Sequence, residues 1–270
     1  ATQRNLERLR ADGAHVVEPA SGELASGLVG KGRMAEPEDI VKAVAAIVSE
    51  KKKSLSGKRF LVTAGATVEA IDPVRFRSNH SAGKMGYALA EALSARGAEV
   101  TLVSGRTSLP TPEGVRRVDV LSAEEMYDAC VAEFDACDGA VMCAAVADYT
   151  PASVASEKIK KSGGEMSIAL RRTKDIAAEL GGRKGGRILV GFAMETENET
   201  ENAREKLRRK NFDFVALISL RTAGAGFRGD TNVLSLIDAS SREDLPLMSK
   251  REAADRIVDK IENCINGQNR

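Results

Sequence analysis

Short apolar runs of strand length alternate with amphipathic segments through most of the chain. The apolar runs predict strands at residues 59–63, 99–104, 118–121, 139–143, 187–192 and 214–219, with an edge strand at 233–237. The amphipathic segments predict helices at residues 2–10, 37–50, 87–96, 175–180 and 199–210, a helix opened by Ser122 and a last helix from Ser249. Continuous apolar strands that alternate with helices are typical of a largely parallel sheet covered on both faces. The pattern therefore predicts an α/β fold.

The first fifty residues depart from this alternation. Residues 15–17 form a short apolar run that predicts a strand, and residues 19–37 have the composition of a glycine-rich loop. Residues 51–57 are mostly polar and charged and end in Gly57, which is typical of a linker. We therefore expect residues 1–50 to be the tail of another unit, and the chain to be a piece of a longer polypeptide.

A long loop follows the first strand of the alternating region. Residues 72–86 separate that strand from the helix at 87–96. A glycine-bearing loop between a strand and a helix brings backbone N–H groups and the helix N-terminus together, which favours an anion. The polar side chains of this loop include Arg75, Asn79, Ser81 and Lys84. We therefore expect the loop to hold a substrate as well as a phosphate.

Further polar residues follow the other predicted strands. Asp148 comes after the strand at 139–143, and the lysine-rich segment 158–161 comes next. Lys206 and Lys210 are four residues apart, so they share one face of their helix. Ligands of a doubly wound sheet bind outside the carboxyl ends of the strands. Several lysines and few acids at that edge suit a polyphosphate, because their charge stabilises a pentavalent transition state and the departing pyrophosphate.

Each of these residues also has a purely structural interpretation. The lysines of residues 158–161 fit an exposed loop, and the pair Lys206 and Lys210 fits the solvated face of an amphipathic helix. Asn79 and His80 are residue types that cap helices or turn the chain. His80 is also a candidate general base, although a single histidine near a turn is weak evidence.

Composition excludes several classes of protein. With 40 Lys and Arg against 39 Asp and Glu, the formal net charge is +1, so no global field favours nucleic acid or an acidic membrane. We find no secretory signal and no apolar run of membrane-spanning length. The four cysteines show no paired spacing, which favours reduced thiols in a cytoplasmic protein. Since His and Cys metal-ligand clusters are missing, we expect any metal to be a hard ion bound to phosphates near Asp148 or Asp175.

A nicotinamide-dependent oxidoreductase is an alternative that can be compared directly. The Gly-x-Gly-x-x-Gly fingerprint does not follow Thr63, since Gly83 and Gly86 lie about twenty residues further on. The second predicted strand is followed by Gly105 and Arg106. No acidic residue is therefore placed to hold a ribose hydroxyl, although Arg106 is suited to a phosphate.

Several stretches of the chain form a recognisable set. They are Val62-Thr63-Ala64-Gly65, Ile71-Asp72-Pro73-Val74-Arg75, Ser78-Asn79-His80-Ser81-Ala82-Gly83-Lys84-Met85-Gly86, Ala144-Ala145-Val146-Ala147-Asp148-Tyr149, Glu157-Lys158-Ile159-Lys160-Lys161, Asp175-Ile176, Val190-Gly191-Phe192 and the Lys206 and Lys210 pair. From about residue 55 to residue 263, the chain resembles the phosphopantothenate–cysteine ligase half of the bifunctional coenzyme A biosynthesis protein of bacteria. In that family the ligase is fused to a flavin-dependent phosphopantothenoylcysteine decarboxylase.

The resemblance implies a fold, a reaction and a set of site residues. The fold is a Rossmann-like three-layer α/β fold with a largely parallel sheet and an extended substrate loop. The reaction joins phosphopantothenate to L-cysteine with CTP, through an acyl-cytidylate, and releases pyrophosphate and CMP. Asn79 and Lys158 match the catalytic residues, and Arg75, Asn79 and Ser81 fall in the substrate region. The positions that match the CTP site are Met142, Cys143, Ala144, Asp148, Lys158, Lys174, Asp175, Ile176, Ala177, Phe192, Lys206 and Lys210.

The resemblance also implies cofactors, partners and domain boundaries. CTP is the co-substrate, Mg²⁺ accompanies it, and FMN belongs to the decarboxylase portion, whose flavin-binding residues lie upstream of this chain. We expect a cytoplasmic homodimer that contacts the decarboxylase domain of the same polypeptide and binds neither nucleic acid nor membrane. Residues 1–50 correspond to the C-terminal tail of the decarboxylase, residues 51–57 to the linker and residues 58–266 to the ligase.

Three departures from the family pattern bear on function. Ser26 replaces the cysteine that acts as the acid in decarboxylation, so we expect no decarboxylase activity from this chain alone. Ile218 and Ser219 replace an Asn-Asp pair, and Lys174 replaces a proline. These substitutions motivate an alternative of a different class, a nucleotide-binding scaffold without catalysis. The intact Asn79 and Lys158 motifs favour the ligase.

Overall fold

The structure is a computed structural model that describes residues 2–23, 29–51, 53–161, 163–195, 197–219 and 229–268. The chain divides into two compact units, Ala1–Lys53 and Ser54–Arg270. The helices are α1 Thr2–Ala11, α2 Pro37–Lys51, α3 Lys84–Ala95, α4 Ala123–Phe134, α5 Ile176–Gly182, α6 Glu199–Arg209 and α7 Lys250–Gln268. The strands are β1 Ala20–Glu23, β2 Val29–Arg33, β3 Arg59–Ala64, β4 Val68–Ala70, β5 Phe76–Ser78, β6 Glu99–Ser104, β7 Val115–Asp119, β8 Gly139–Met142, β9 Tyr149–Pro151, β10 Leu170–Arg172, β11 Ile188–Glu195, β12 Phe214–Ser219, β13 Thr231–Asn232, β14 Leu234–Asp238, β15 Arg242–Asp244 and β16 Met248–Ser249.

The first unit contains two helices and an antiparallel pair of strands. Helices α1 and α2 are confirmed, but the strand predicted at residues 15–17 is wrong, because this short run has no neighbouring strand to pair with. The predicted loop at 19–37 contains the paired strands β1 and β2. The predicted clamp residue Ser26 lies outside the described residues. The assignment of this unit to a decarboxylase stays a prediction.

An eight-stranded sheet forms the centre of the second unit. Its order is β15-β14-β12-β11-β8-β3-β6-β7, and the six strands from β12 to β7 run parallel. The chain builds outwards from β3 through β6 to β7, then returns beside β3 to build β8, β11 and β12. The order therefore reverses direction between β3 and β8, as in dinucleotide-binding doubly wound folds. The predicted parallel α/β sheet is confirmed.

Helices cover both faces of this sheet, so the unit has three layers. Phe60 and Val62 of β3 point to one face and pack in the same cluster as Leu89 of α3 and Ile257 of α7. Leu61 points to the other face and packs in a second cluster. The residues that α4, α5 and α6 contribute to that cluster include Met126, Cys130, Phe134, Ile176, Leu180, Ala203 and Leu207. Burial of both faces explains the continuous apolar composition of the central strands.

Two helices begin at the serines that the sequence indicates. Ser122 Oγ accepts the Glu125 N–H at 3.2 Å, while the Glu125 carboxylate accepts the Leu121 N–H at 2.6 Å. Ser249 Oγ accepts the Glu252 N–H at 3.2 Å, and the Glu252 carboxylate accepts the Ser249 N–H at 2.8 Å. The second arrangement is a reciprocal capping box, which satisfies N–H groups that a helix start leaves without partners.

Short antiparallel pairs of strands lie at the carboxyl edge of the sheet. Strands β4 and β5 pair within the segment that joins β3 to α3, and β9 pairs with β10. The predicted loop at 72–86 is therefore partly structured, and α3 begins at Lys84 rather than at Tyr87. Strands of three residues carry too little periodicity to be recognised in the sequence.

Three assignments differ from the sequence-based expectation. Strand β7 spans Val115–Asp119 rather than residues 118–121. Strand β14 is not the edge of the sheet, because β15 pairs with it antiparallel on its outer side. Leu55 lies in the predicted linker, yet its side chain is 2% exposed and belongs to the core of the second unit. None of the described helices has the length and apolar composition that a membrane crossing requires.

Gly86 permits the close approach of α3 to β3. It is buried, and a Cβ added there would lie 2.5 Å from the Ala64 Cβ and 2.9 Å from the Thr63 carbonyl oxygen. We expect Gly86→Ala to lower the free energy of unfolding by about 1–3 kcal/mol in urea titrations, because the backbone must separate. The matched control is Gly182→Ala in α5, where a Cβ would meet nothing within 4 Å. Equal stability of the two variants would contradict this account.

Candidate functional site

Threonine side chains hold the loops at the point where the strand order reverses. Thr63, near the end of β3, accepts the N–H groups of Cys143 and Ala144 on its Oγ1, each at 3.1 Å. Thr67 Oγ1 accepts the Ala147 N–H at 3.0 Å in the same way. These bonds provide acceptors for backbone N–H groups of the loop that follows β8. The loop after β8 is therefore fixed against the end of β3, where a doubly wound sheet binds its ligands.

The larger of two clefts at this edge, which we call the lysine cleft, has a volume of about 840 Å³. Its lining comes from the ends of β3, β8 and β11, from α5 and from α6. The lining residues are Thr63, Met142, Ala144, Val146, Asp148, Tyr149, Arg172, Thr173, Lys174, Asp175, Ile176, Ala177, Ala178, Phe192, Glu195, Asn202, Glu205, Lys206, Arg209, Lys210 and Phe212. The structure thus brings together all the residues expected at a nucleotide site except Cys143 and Lys158.

Lys206 of α6 and Lys210, which directly follows that helix, line the lysine cleft. Lys206 Nζ donates to the Phe192 carbonyl oxygen at 2.7 Å, and the Lys210 ammonium pairs with the Asp175 carboxylate. Asp175 also caps α5, since its Oδ1 accepts the Ala178 N–H at 3.0 Å. Both ammonium groups therefore stay fixed on the cleft wall through contacts that an anionic ligand would compete with.

Burial lowers the pKa of both lysines. Loss of water around Lys206 lowers its pKa, and the nearby carboxylates of Glu195 and Asp148 oppose that effect only in part. Burial lowers the pKa of Lys210 as well, again opposed by Asp148. A cation without its full hydration gains more from a new anion than a solvated one does.

Lys174 lies in the same cleft but in a different environment. Its Nζ is 2.5 Å from the Glu124 carboxylate of α4 and 4.6 Å from the centre of the Tyr127 ring. The bond to Glu124 raises the pKa of Lys174. This lysine is half-exposed, whereas Lys206 is half-buried and Lys210 is buried, so Lys206 and Lys210 are the stronger candidates for phosphate contacts.

The expectation of few acids at this edge is wrong. The lysine cleft has five cationic side chains and four carboxylates among its described lining residues. The carboxylates are Asp148, Asp175, Glu195 and Glu205. They come from four separate segments, and only the tertiary structure places them together. Carboxylate oxygens beside phosphate-binding cations are suited to a hard divalent ion that bridges to a phosphate.

A second cleft, which we call the asparagine cleft, has a volume of about 590 Å³. It is lined by Ala66, Val68, Phe76, Ser78, Asn79, Ser81, Arg106, Thr107 and Ser108. Asn79 Nδ2 donates to the Ala145 carbonyl oxygen at 3.1 Å. Because Ala144 and Val146 line the lysine cleft, Asn79 lies where the two clefts adjoin.

Three of the expected site residues line neither cleft within the described part of the chain: Arg75, Cys143 and Lys158. Arg75 donates to Asp72 and to the Ile159 carbonyl oxygen. Cys143 is half-buried, and loss of water around the thiol raises its pKa to about 12. Lys158 is exposed and precedes Ile159. Their proposed roles stay predictions.

Sequence reasoning missed several residues that shape the site. Thr63 and Thr67 organise the loops, while Glu195 and Arg209 line the lysine cleft. A threonine at the carboxyl end of a central strand is a usable signal, because its hydroxyl can accept N–H groups from the adjoining loop. The sequence contains no comparable signal for Glu195 or Arg209.

Comparisons with known proteins all point to one family. Residues 55–265 match the model of the DNA/pantothenate metabolism flavoprotein C-terminal domain. The chain is 53% identical over 267 residues to a cysteine/cysteine sulfinic acid decarboxylase of an unknown prokaryotic organism, with 97% of this chain and 74% of that protein covered. It is 47% identical over 265 residues to the coenzyme A biosynthesis bifunctional protein CoaBC of Bacillus subtilis (strain 168), with 97% and 65% covered. The chain thus spans about two thirds of that bifunctional protein.

A solved structure extends the comparison to the fold. The C-terminal domain of a coenzyme A biosynthesis bifunctional protein CoaBC is 41% identical and superposes with a TM-score of 0.69. The alignment covers 80% of this chain and 99% of that domain. The Rossmann-like three-layer arrangement expected from the sequence is confirmed.

The lowered pKa of Lys206 predicts how stability depends on pH. Between that lowered pKa and about 10.4, the unfolded state binds the Lys206 proton more tightly than the folded state does, so this lysine makes stability rise with pH. We expect the free energy of unfolding of the wild type, measured in urea from pH 7 to pH 10, to rise relative to Lys206→Met. The exposed Lys161→Met is the control. Parallel curves for wild type and Lys206→Met would contradict the assignment.

Proposed function

The chain belongs to the DNA/pantothenate metabolism flavoprotein C-terminal domain family, and from that premise we propose that it is a phosphopantothenate–cysteine ligase that uses CTP. One observation carries the proposal: Asn79 lies where the cleft that contains the half-buried Lys206 and the buried Lys210 adjoins a second polar cleft. A nucleotide in the lysine cleft and a carboxylic acid in the asparagine cleft would meet beside this side chain.

In the first step a carboxylate oxygen of phosphopantothenate attacks the α-phosphorus of CTP. The bond from that phosphorus to the bridging oxygen breaks, which yields the acyl-cytidylate and pyrophosphate. Lys206 and Lys210 would neutralise the charge that develops on the departing phosphates. Asn79 would orient the acyl oxygen with its amide, which adds no charge to the site.

In the second step the amine of L-cysteine attacks the acyl carbon. The carbon–oxygen bond to CMP breaks, CMP leaves with the electron pair, and the amine loses a proton. The mixed anhydride makes this possible, because a free carboxylate is a poor electrophile. We assign Lys158 to this step, where its ammonium would stabilise the departing nucleotide phosphate.

The cleft also suits a magnesium ion that accompanies the nucleotide. Asp148 and Asp175 supply the hard oxygen ligands that Mg²⁺ prefers. Asp175 is already engaged by the α5 N-terminus and by Lys210, so Asp148 is the better candidate. Bound there, the ion would neutralise phosphate charge. FMN is assigned to the decarboxylase portion of a longer polypeptide.

We further propose a cytoplasmic homodimer that forms through the short strand pairs. Strands β5 and β9 are linked by the Arg77 side chain, whose Nη1 donates to the Tyr149 carbonyl oxygen at 2.9 Å. Around this link the exposed apolar side chains include Val74, Phe76, Tyr149, Val154, Ile168 and Leu170. Such a patch is typical of a protein–protein contact. A mass of twice 28.7 kDa in sedimentation equilibrium would support the dimer, and a mass of 28.7 kDa would contradict it.

A decarboxylase is the second candidate, because the relative at 53% identity is named for cysteine and cysteine sulfinate decarboxylation. The described first unit consists of two helices and one strand pair, and the family match begins only at residue 55. We expect no carbon dioxide from cysteine, cysteine sulfinate or phosphopantothenoylcysteine with this chain alone. Carbon dioxide release from any of them would establish the decarboxylase.

Pyrophosphate release tests the ligase directly. The chain is incubated with phosphopantothenate, L-cysteine, Mg²⁺ and each nucleoside triphosphate in turn. Turnover with CTP supports the ligase. CTP binding without turnover would favour the non-catalytic scaffold, and an NADPH fluorescence change without pyrophosphate would favour the oxidoreductase.

Asn79→Asp should block progress through the acyl-cytidylate. The introduced carboxylate repels the substrate carboxylate and removes an amide donor, so we expect ligation to fall by about 10²–10³-fold while the thermal midpoint stays unchanged. The matched control is Asn263→Asp on the exposed part of α7. Ligation at the wild-type rate would remove Asn79 from its proposed role.

Lys158→Gln should separate the two steps. Acyl-cytidylate formation, followed by pyrophosphate release in single turnover, should continue, whereas transfer to cysteine should slow by about 10²-fold because its charge stabilisation is lost. Lys161→Gln changes a neighbouring exposed lysine and serves as the control. If both steps slow equally in Lys158→Gln, the assignment of Lys158 to the second step is wrong.

A further inference from the structure

A buried carboxylate lies at the turn between β4 and β5. The Asp72 side chain has no exposed surface. Its Oδ1 accepts the N–H groups of Val74 and Arg75, each at 2.8 Å. Its Oδ2 accepts from Arg75 Nε at 2.9 Å and Nη2 at 2.5 Å, and from the Ile159 N–H at 3.1 Å. A carboxylate with this many donors is fixed in one orientation.

Arg75 completes a bridge between two distant segments. Besides its two bonds to Asp72, its Nη2 donates to the Ile159 carbonyl oxygen at 2.6 Å. The Ile159 backbone is therefore held at both its N–H and its C=O. A further bond, from the Ala155 N–H to the Ile71 carbonyl oxygen at 3.0 Å, ties the same two segments together.

The bridge is close along the chain to both residues proposed to act in catalysis. Asn79 directly follows β5, one strand away from the Asp72 turn, and Ser78 Oγ fixes that point by donating to the Thr67 carbonyl oxygen at 2.7 Å. Lys158 directly precedes Ile159. Both the asparagine and the lysine are thus one residue from backbone that these bonds immobilise.

We propose that Asp72 is a positioning residue which, through Arg75 and the Ile159 backbone, holds Lys158 at a fixed distance from Asn79. The proposal rests on the ligase function. It assigns Asp72 no proton transfer. Although burial alone would raise the pKa of Asp72, the bonds from Arg75 and from the backbone hold it well below its usual range, so the group stays ionised at physiological pH.

The inference also gives Arg75 a role other than direct contact with substrate. A residue that only touches phosphopantothenate would change the KM for that substrate when altered. A residue that positions Lys158 would change the rate of cysteine transfer and the order of the segment around Ile159. The KM for phosphopantothenate and the rate of cysteine transfer therefore distinguish the two roles.

The test is Asp72→Asn in the full chain, which keeps the size of the side chain and removes its charge. We expect acyl-cytidylate formation within about threefold of wild type and cysteine transfer slowed by about 10²-fold, because a displacement of about 1 Å can cost that much. Amide hydrogen exchange of residues 155–161 should accelerate. The matched control is Asp244→Asn, which removes an Asp–Arg pair at the sheet edge, where Asp244 contacts Arg242.

Arg75→Lys is a second variant that keeps the charge and removes the two-pronged contact with Asp72. Like Asp72→Asn, it should slow cysteine transfer more than acyl-cytidylate formation and accelerate amide exchange of residues 155–161. If Asp72→Asn does not fold, Arg75→Lys provides the test of the proposal. Unchanged exchange at residues 155–161 together with unchanged transfer would overturn the inference. A raised KM for phosphopantothenate with unchanged exchange would likewise assign Arg75 to substrate contact alone. Absence of pyrophosphate release from the wild type would instead refute the ligase function, and the exchange measurement would still test the bridge.

Discussion

The reversal of strand order between β3 and β8 is the constraint on which the site depends. Connections leave the two strands towards opposite sides, so the carboxyl edge opens into a crevice whose backbone groups need partners. The Thr63 hydroxyl is the partner of two of these groups, because it accepts two N–H groups from the loop after β8. Thr67, four residues further along the chain, accepts one more, the Ala147 N–H. The ends of the strands are thereby fixed before any ligand binds, and both clefts take their shape from these fixed loops.

Charge in the lysine cleft shows how folding and binding are coupled. Lys206 and Lys210 lose hydration on folding, which lowers their pKa, and nearby carboxylates compensate in part. A polyphosphate would add counter-charge at Lys206, and at Lys210 it would compete with the paired Asp175 carboxylate. Ligand binding would then stabilise the folded state through the same lysines whose loss of hydration destabilises the free protein. This is the usual relation between a functional site and the stability of its scaffold.

The asparagine cleft and the bridge at Asp72 extend this arrangement beyond the sheet. Asn79 reaches the loop after β8, while Asp72 and Arg75 fix the backbone that follows Lys158. The strand pair β4–β5 therefore connects a residue proposed for the first chemical step with one proposed for the second. The proposed reaction has two stages, and one acyl group would stay in place beside this strand pair while its partner changes.

The sequence by itself determined the class of fold and indicated polar residues that the structure brings to two clefts. Apolar runs located the five inner parallel strands, because strands buried on both faces must be apolar throughout, but they matched only the last two residues of the edge strand β7. The serine and glutamate spacing located the start of α7. Only the tertiary structure decided which charges share a cleft, that Leu55 belongs to the core and that Arg75 binds Asp72 and Ile159. Short strands such as β4 and β9, and contacts between residues more than eighty positions apart, leave no periodic signal, since they depend on where the folded sheet places each loop.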